Sequence, residues 1–407
     1  MYITCIECGT STSIENTVEV KTFGCLECNS LFYYKNNELI PKEKYKYTSI
    51  EPLLKVGQKG IIEDIEYEVI AIIIKRVYQT FYWREYTLKS KDDKYRYLSE
   101  SDGHWILLDE VPDEYDISKK FKTLTHNDIS YDLYEYTDAI IVGAYGFFDD
   151  SISKANIQMA EYIKPPFIVS IEEFNNKQTT YFGRHFTKSE VKSAFGNPAL
   201  PLKSGVGIVQ PFLFNFSNTA IIFCSVAILI LLTQILVNQN RTETHILSKN
   251  FIFSDYDKKD YVSESFTLEG GSAPMTISIH SDVNNSWANA QVALVNETTN
   301  EEEYANKDLE YYHGYEGGES WSEGSQGEKF NICGVAEGKY HLVITPQKQP
   351  DDNGNNSLNV NVVWKEPSLW NFFISALVMG IALFILFFAN KNFEQRRWES
   401  SDFSPFE

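Results

Sequence analysis

The sequence predicts a mainly β protein interrupted by two membrane-spanning helices. Three observations carry that expectation. Cys5-Ile-Glu-Cys8 and Cys25-Leu-Glu-Cys28 repeat a C-x2-C unit near the N-terminus, two uncharged apolar stretches lie in the second half, and much of the remaining chain alternates apolar and polar residues between Gly, Asn and Asp turns. Together they divide the chain into a ribbon over 1–40, a β-rich domain over 50–205, helices over 215–238 and 368–390, an intervening β-sandwich over 240–366, and a tail over 391–407.

The two C-x2-C units are separated by sixteen residues, the spacing of a four-thiolate zinc ribbon, so Cys5, Cys8, Cys25 and Cys28 are expected to hold a structural Zn2+. Each knuckle presents two sulfurs, and a hairpin between knuckles gathers four around one ion. Such an ion needs reduced thiols, which places the ribbon in the cytosol. A closed four-thiolate site keeps no open coordination position and is expected to be non-catalytic. Lys21 and Lys35 are the only basic residues in the first thirty-five, so a nucleic-acid role is not expected.

A Lys- and Tyr-rich linker, Lys42 to Thr48, leads into a region of strand signals. Val56-Gly57-Gln-Lys-Gly60 reads as a turn, while Tyr67 to Ile74 and Tyr82 to Leu88 read as strands. Asp102-Gly103 sits between two strand-like pieces, as in a hairpin. Thr137 to Phe147, Tyr162 to Ile171 and Gln178 to Phe186 are further β segments, and Thr187-x-x-Glu190 caps a short helix that stops at Gly196. The expectation is a mainly antiparallel barrel or sandwich.

Several of these residues carry a resemblance. Val56-Gly57 to Gly60, Trp83-Arg-Glu-Tyr86, Leu98-Ser-Glu-Ser-Asp-Gly-His-Trp105, Lys164-Pro-Pro166 and Glu190-Val191 to Ala194-Phe195 resemble the bacterial domain of unknown function family 4178, over roughly 53–198. The resemblance implies an envelope-stress setting that includes phage-shock-type membrane-remodelling proteins. It implies no chemistry. An enzyme would need Glu85, Asp102 and His104, joined by His185, in one pocket at about 2.6–3.2 Å. The simpler reading gives Asp102-Gly103 to a turn, Trp83 and Trp105 to a core, and the His104 ring to a backbone carbonyl. No nucleotide-binding or hydrolase motif occurs, so no catalytic residue is assigned.

The apolar stretches are Ala220 to Val237 and Trp370 to Ala389. At roughly 1.5 Å per residue, twenty helical residues cross a hydrocarbon core of ~30 Å. Lys391, Arg396 and Arg397 follow the second stretch, which predicts a cytosolic C-terminus and, by two crossings, a cytosolic N-terminal half in a bacterial cytoplasmic membrane. No signal peptide is expected, since Met1 leads straight into the cysteine motif. Residues 240–366 then lie outside. They carry nine Lys and Arg against twenty-one Asp and Glu, or −12 of the chain's −20, which disfavours anionic partners. Cys224 falls in the first stretch, and Cys333 stands alone outside.

Alternating segments Ser263 to Leu268, Met275 to His280, Ala290 to Val295, Lys339 to Ile344 and Leu358 to Trp364 predict the outer sandwich. Between them, 311–325 is expected to be a connecting loop. Tyr311, Tyr312 and Trp321 offer stacking faces and Glu316, Glu319 and Glu323 offer acceptors, which would suit a ligand or a calcium ion, although no calcium-loop signature is present. Sequons at Asn240, Asn284, Asn296 and Asn355 say little in so polar a chain. The expected function is a membrane-integral, non-enzymatic scaffold or sensor that links the envelope to cytosolic membrane-associated proteins. The alternatives are a receptor acting through 311–325, with its outer-face ligand unknown, and an enzyme using Glu85, Asp102 and His104.

Overall fold

The computed structural model describes residues 1–407 except 47–49, 155, 175–176, 240–241, 258, 367 and 407. Thr48 at the linker's end, the sequon and expected domain start at Asn240, and the last residue, Glu407, thus lie outside the described residues. The chain forms two compact units. One joins 1–216 to 384–407, and the other comprises 217–383.

In the first unit, β1 (Tyr2–Thr4) pairs with β2 (Ser11–Ser13) around the first knuckle, and β3 (Thr22–Gly24), β4 (Ser30–Lys35) and β5 (Glu38–Lys44) form a meander around the second. Then follow β6 (Lys59–Ile62), β7 (Ile65–Val77), β8 (Phe81–Ser90), β9 (Tyr95–Ser101), β10 (His104–Val111), β11 (Thr123–His126), β12 (Ile129–Phe148), β13 (Asn156–Lys164), β14 (Phe167–Phe174) and β15 (Lys177–Phe186). Eight of these, in the order β7-β8-β9-β10-β15-β14-β13-β12, close into an antiparallel barrel because β12 also pairs with β7. Closure removes the free edges of the sheet. The 20-residue β12 makes this possible: its first part pairs with β13, its middle with β7, and its end with β3 of the ribbon. At the crossing, Gly146 has φ +94°, and a Cβ there would stand 2.4 Å from the Ile70 carbonyl oxygen. Only glycine fits.

Two apolar layers clothe the barrel. Tyr86, Trp105 and Leu98 pack beneath α1 (Lys188–Ala194), whose N-cap Thr187 and N3 Glu190 form the expected capping box. Phe23, Phe32 and Leu31 of the ribbon pack with Phe147, Ala71 and Ile70. The ribbon is clasped further by Glu68, a buried carboxylate that accepts from Glu15 N (2.7 Å), Asn16 N (2.8 Å) and Asn16 Nδ2 (2.8 Å).

α2 (Phe216–Gln239) and α3 (Trp370–Arg397) are long and apolar enough to cross a membrane. The expected boundary at 390 understates α3, which continues to Arg397 with an amphipathic last part. Within the first unit, the rings of Phe216 and Phe387 meet at 5.8 Å and those of Phe212 and Phe393 at 5.3 Å. The chain therefore enters α2 and leaves α3 at the same place.

The second unit is a two-sheet sandwich. Its strands are β16 (Thr244–Ile252), β17 (Tyr261–Val262), β18 (Phe266–Leu268), β19 (Ala273–Ser281), β20 (Ser286–Asn296), β21 (Glu302–Glu316), β22 (Glu319–Gly324), β23 (Gly327–Val335), β24 (Gly338–Lys348) and β25 (Ser357–Trp364). One sheet runs β16-β25-β19-β23, the other β17-β24-β20-β21-β22 with β18 also on β24. Inward residues such as Met275, Ile277, Val292, Leu342, Val360 and Trp364 fill the space between them.

Three expectations need correction. Tyr162 to Ile171 is two strands, β13 and β14, because Pro165 and Pro166 have no N–H for the ladder and turn the chain instead. Ser263 to Leu268 is not one strand, since only Phe266–Leu268 pairs there. Residues 311–325 are not a loop: β21 and β22 form a hairpin about Gly317 and Gly318, both at positive φ.

Candidate functional site

The two knuckles bring their sulfurs together as the spacing predicts. The Sγ atoms of Cys5, Cys8, Cys25 and Cys28 all lie within 4.8 Å of one another, with Cys5 to Cys28 and Cys8 to Cys25 each at 3.6 Å. Disulfide bonds, at about 2.05 Å, are excluded. Burial raises the Cys5 and Cys25 thiols, while hydrogen bonds from the Thr10 hydroxyl and backbone lower Cys8 to about 6. Four convergent sulfurs form a set that can hold a metal ion.

A second candidate site lies inside the barrel, and the sequence reading missed it. Alternation along all eight strands turns one face inward around a cavity of about 410 Å3. Ile73, Ile106, Ile157, Met159, Ile168 and Phe174 supply apolar wall, and Lys75, Glu85, Glu161 and Glu172 supply charge. Lys75 Nζ sits 2.8 Å from Glu85 Oε2 and 2.6 and 2.7 Å from the two Glu172 oxygens, with its side chain 2% exposed. Burial alone would lower the Lys75 ammonium, but Glu172 and Glu85 outweigh it and hold Lys75 protonated. Glu85 Oε1 also accepts from Trp83 Nε1 at 2.7 Å. Glu161 is different. Its cross-strand neighbour is Glu135, and burial followed by the charges of Glu135, Glu172 and Glu85 pushes it up to about 8. It keeps surface toward the cavity although protein encloses it, and it has no hydrogen-bond partner among the described residues.

This barrel is the part of the chain that a known family describes. Residues 55–188 match the family model of the "Domain of unknown function (DUF4178)". The matched segment holds all eight barrel strands and leaves the ribbon, both long helices and the sandwich outside it. No curated protein matches the chain. Among solved structures, "Structure of infectious bursal disease virus Gx strain" matches with 8% identity over 84% of this chain and 65% of its own, at a TM-score of 0.17. The corresponding Gt-strain structure gives 8% identity, 84%, 66% and 0.15. This chain thus spans just under two thirds of those chains, and at such scores the likeness carries no argument.

The residues weighed for catalysis do not assemble around the barrel cavity. Of Glu85, Asp102, His104 and His185, only Glu85 lines it. Asp102, with φ 51°, and Gly103 form the β9–β10 turn. The buried His104 places Nε2 2.9 Å from the Ser204 carbonyl oxygen, and burial lowers its affinity for a proton. Burial and then Lys203 lower His185 to about 4. Both rings are neutral near pH 7.

Residues distant in sequence share an apolar cluster with part of the cavity lining. Trp398, directly after α3, packs with Leu108, Tyr134, Ile163, Ile168 and Val209, and the lumen residues Ile106, Tyr97 and Tyr181 join them. The fully buried Arg397 guanidinium donates from Nη1 to the Gly207 and Ile208 carbonyls (2.7 Å each), from Nη2 to Gln210 O, and from Nε to Glu394 (2.8 Å). Tyr134 Oη donates to Arg397 O at 3.0 Å.

On the β21–β22 hairpin of the second unit, the six residues proposed for ligand contact divide between two faces. The pairs Tyr312–Glu323, Gly314–Trp321 and Glu316–Glu319 share one face, while Tyr311 opposite Gly324 lies on the other. Trp321 is 47% exposed and lies across Gly314, where a Cβ would come within 2.8 Å of its ring. Among the described residues the only group able to share a metal ion is the four-cysteine cluster, so Glu316, Glu319 and Glu323 do not converge.

Proposed function

We propose that this protein is a membrane-anchored, non-enzymatic sensor: a zinc ribbon and ligand-binding barrel in the bacterial cytosol, two spans of the cytoplasmic membrane, and an acidic sandwich outside. One observation carries the reading. Trp398, the first residue past a helix able to span a membrane, shares an apolar cluster with the cavity-lining residues Leu108, Ile168, Ile106, Tyr97 and Tyr181. Occupancy of the cavity and the position of the helix end are therefore mechanically linked. Entry into α2 and exit from α3 at one place, with Lys391 and Arg396 beside the exit, support a cytosolic first unit. A tetrahedral ion with Zn–S bonds of about 2.3 Å sets its sulfurs roughly 3.8 Å apart, close to the 3.6 Å of the cysteine pairs, which supports structural Zn2+. Lys75, held protonated by two carboxylates, is a poor nucleophile, which favours binding over covalent chemistry. Cytosolic membrane-associated proteins are the partners that this anchoring and the family resemblance favour.

Hydrogen exchange on the full chain in lipid nanodiscs tests the linkage. Leu108→Ala, on the wall that Trp398 covers, is expected to speed exchange at 394–401 at least tenfold while β7 amides stay protected. Unchanged exchange at 394–401 would sink the sensor reading.

A second reading, an outer-face receptor, draws on Trp321, exposed on its hairpin while Trp364 of the same unit is buried. Trp321→Ala is expected to leave thermal unfolding of the full chain within a few degrees of the unsubstituted protein. A loss equivalent to about 3–5 kcal/mol would make the ring structural and remove that reading.

A further inference from the structure

The barrel lumen is unbalanced. Lys177 and Asp150 pair with each other, which leaves three carboxyl groups, Glu85, Glu161 and Glu172, against the one ammonium of Lys75. Lys75 directs its donors to Glu85 and both oxygens of Glu172, and the second Glu85 oxygen is taken by Trp83. Glu135, opposite Glu161, accepts from Tyr78 Oη at 2.9 Å. Glu161 alone has no donor among the described residues, yet it faces the cavity from the middle of a wall built of isoleucine, methionine and phenylalanine. A partly buried carboxyl without a donor is unfavourable, and a ligand that supplies one removes that penalty. Among the described residues, no three carboxylates approach closely enough to share a metal ion.

We infer that the lumen binds a small organic cation, a protonated amine on an apolar body, with Glu161 as the carboxylate that accepts its N–H. The inference rests on the barrel being a ligand-binding domain, as proposed above. An anion would have to take Lys75 from two carboxylates and would face Glu161 at close range. A neutral apolar molecule would fill the wall but leave Glu161 without a donor. An ammonium supplies both the donors and the charge, so that Glu161, raised to about 8 in the empty lumen, gives up its proton to solvent on binding and accepts in hydrogen bonds about twice as strong as neutral ones. Its apolar body then packs on Ile157 and Met159, which flank Glu161 along the same face of β13. The exposed Lys177–Asp150 pair, 3.7 Å apart, stands among the lining residues where the cavity meets solvent.

The test compares three probes of one shape on the full chain in neutral phosphatidylcholine nanodiscs, by calorimetry with empty discs subtracted: 2-phenylethylammonium, 2-phenylethanol and 3-phenylpropionate. The ammonium is expected to bind at least tenfold more tightly than the alcohol, and the carboxylate more weakly than either. Glu161→Gln, with cooperative unfolding retained, should bring the ammonium to within about twofold of the alcohol. A carboxylate that binds as well as the ammonium overturns the proposal, as does an ammonium preference that survives Glu161→Gln. Equal binding of all three leaves the cavity a ligand site but rejects the cation, whereas no binding by any probe rejects the ligand-binding barrel itself. The comparison on the unsubstituted chain holds whether or not the variant folds.

Discussion

Arg397→Ala should lower the melting temperature of the first unit by roughly 10 °C. The guanidinium is fully buried and supplies donors to Gly207, Ile208 and Gln210 carbonyls and to the Glu394 carboxylate. Removing one side of a buried charged network costs about 3–5 kcal/mol, because the acceptors stay enclosed without partners. For a unit of this size, each kcal/mol shifts melting by about 2–4 °C. Lysine would restore charge without the planar fork, so Arg397→Lys should recover only a minor part. Calorimetry of the three proteins in the same detergent decides it, and a melting temperature unmoved by alanine would mean that the 205–210 turn is held by something else.

The second large effect is expected at Cys25. If the four sulfurs hold structural zinc, Cys25→Ser removes a thiolate from a closed site, and binding worth about 10–16 kcal/mol in small zinc modules is largely lost. Elemental analysis should show loss of stoichiometric zinc, and amides over 1–44 should lose protection while membrane insertion persists. The damage should also reach the barrel, because Phe23 and Phe32 share a core with Phe147 and β3 is paired with the end of β12. Full zinc retention in the variant would end the zinc assignment.

The ribbon and the apolar helices were legible because each depends on a local pattern: two knuckles at fixed spacing, and long runs without charge. The β content was legible for the same reason, since alternation is read within one strand. Closure of the barrel was not, because it rests on β12 pairing with β7 across some seventy residues and on a bend at Gly146 that no periodicity announces. The lumen was hidden by its own chemistry. In β13 the sequence Ile157-Gln-Met159-Ala-Glu161 puts glutamate at an inward position, where a single strand read alone suggests a solvated face. Arg397 misled in the opposite direction. In the sequence it reads with Lys391 and Arg396 as a basic flank, yet its side chain is buried among backbone carbonyls. Residues 311–325 read as a loop because glycine and serine weaken strand propensity, yet β21 and β22 pair with each other from Tyr311–Gly324 to Glu316–Glu319.

The first unit is made from both ends of the chain, and that has a consequence for biosynthesis. Residues 1–216 leave the ribosome long before 384–407 exist, so a nascent barrel must wait, with Leu108, Ile168 and Val209 uncovered, until the final turn of α3 arrives. The closing piece comes only after everything between Ser217 and Leu383 has been made. If α2 and α3 cross a membrane as proposed, a chain whose second long helix ended on the wrong side could not deliver Trp398 or Arg397 to the barrel, and would carry an uncovered apolar surface that chaperones and proteases recognise. Under the proposed membrane topology, correct insertion would thus be recorded in the finished protein as a completed apolar cluster around Trp398.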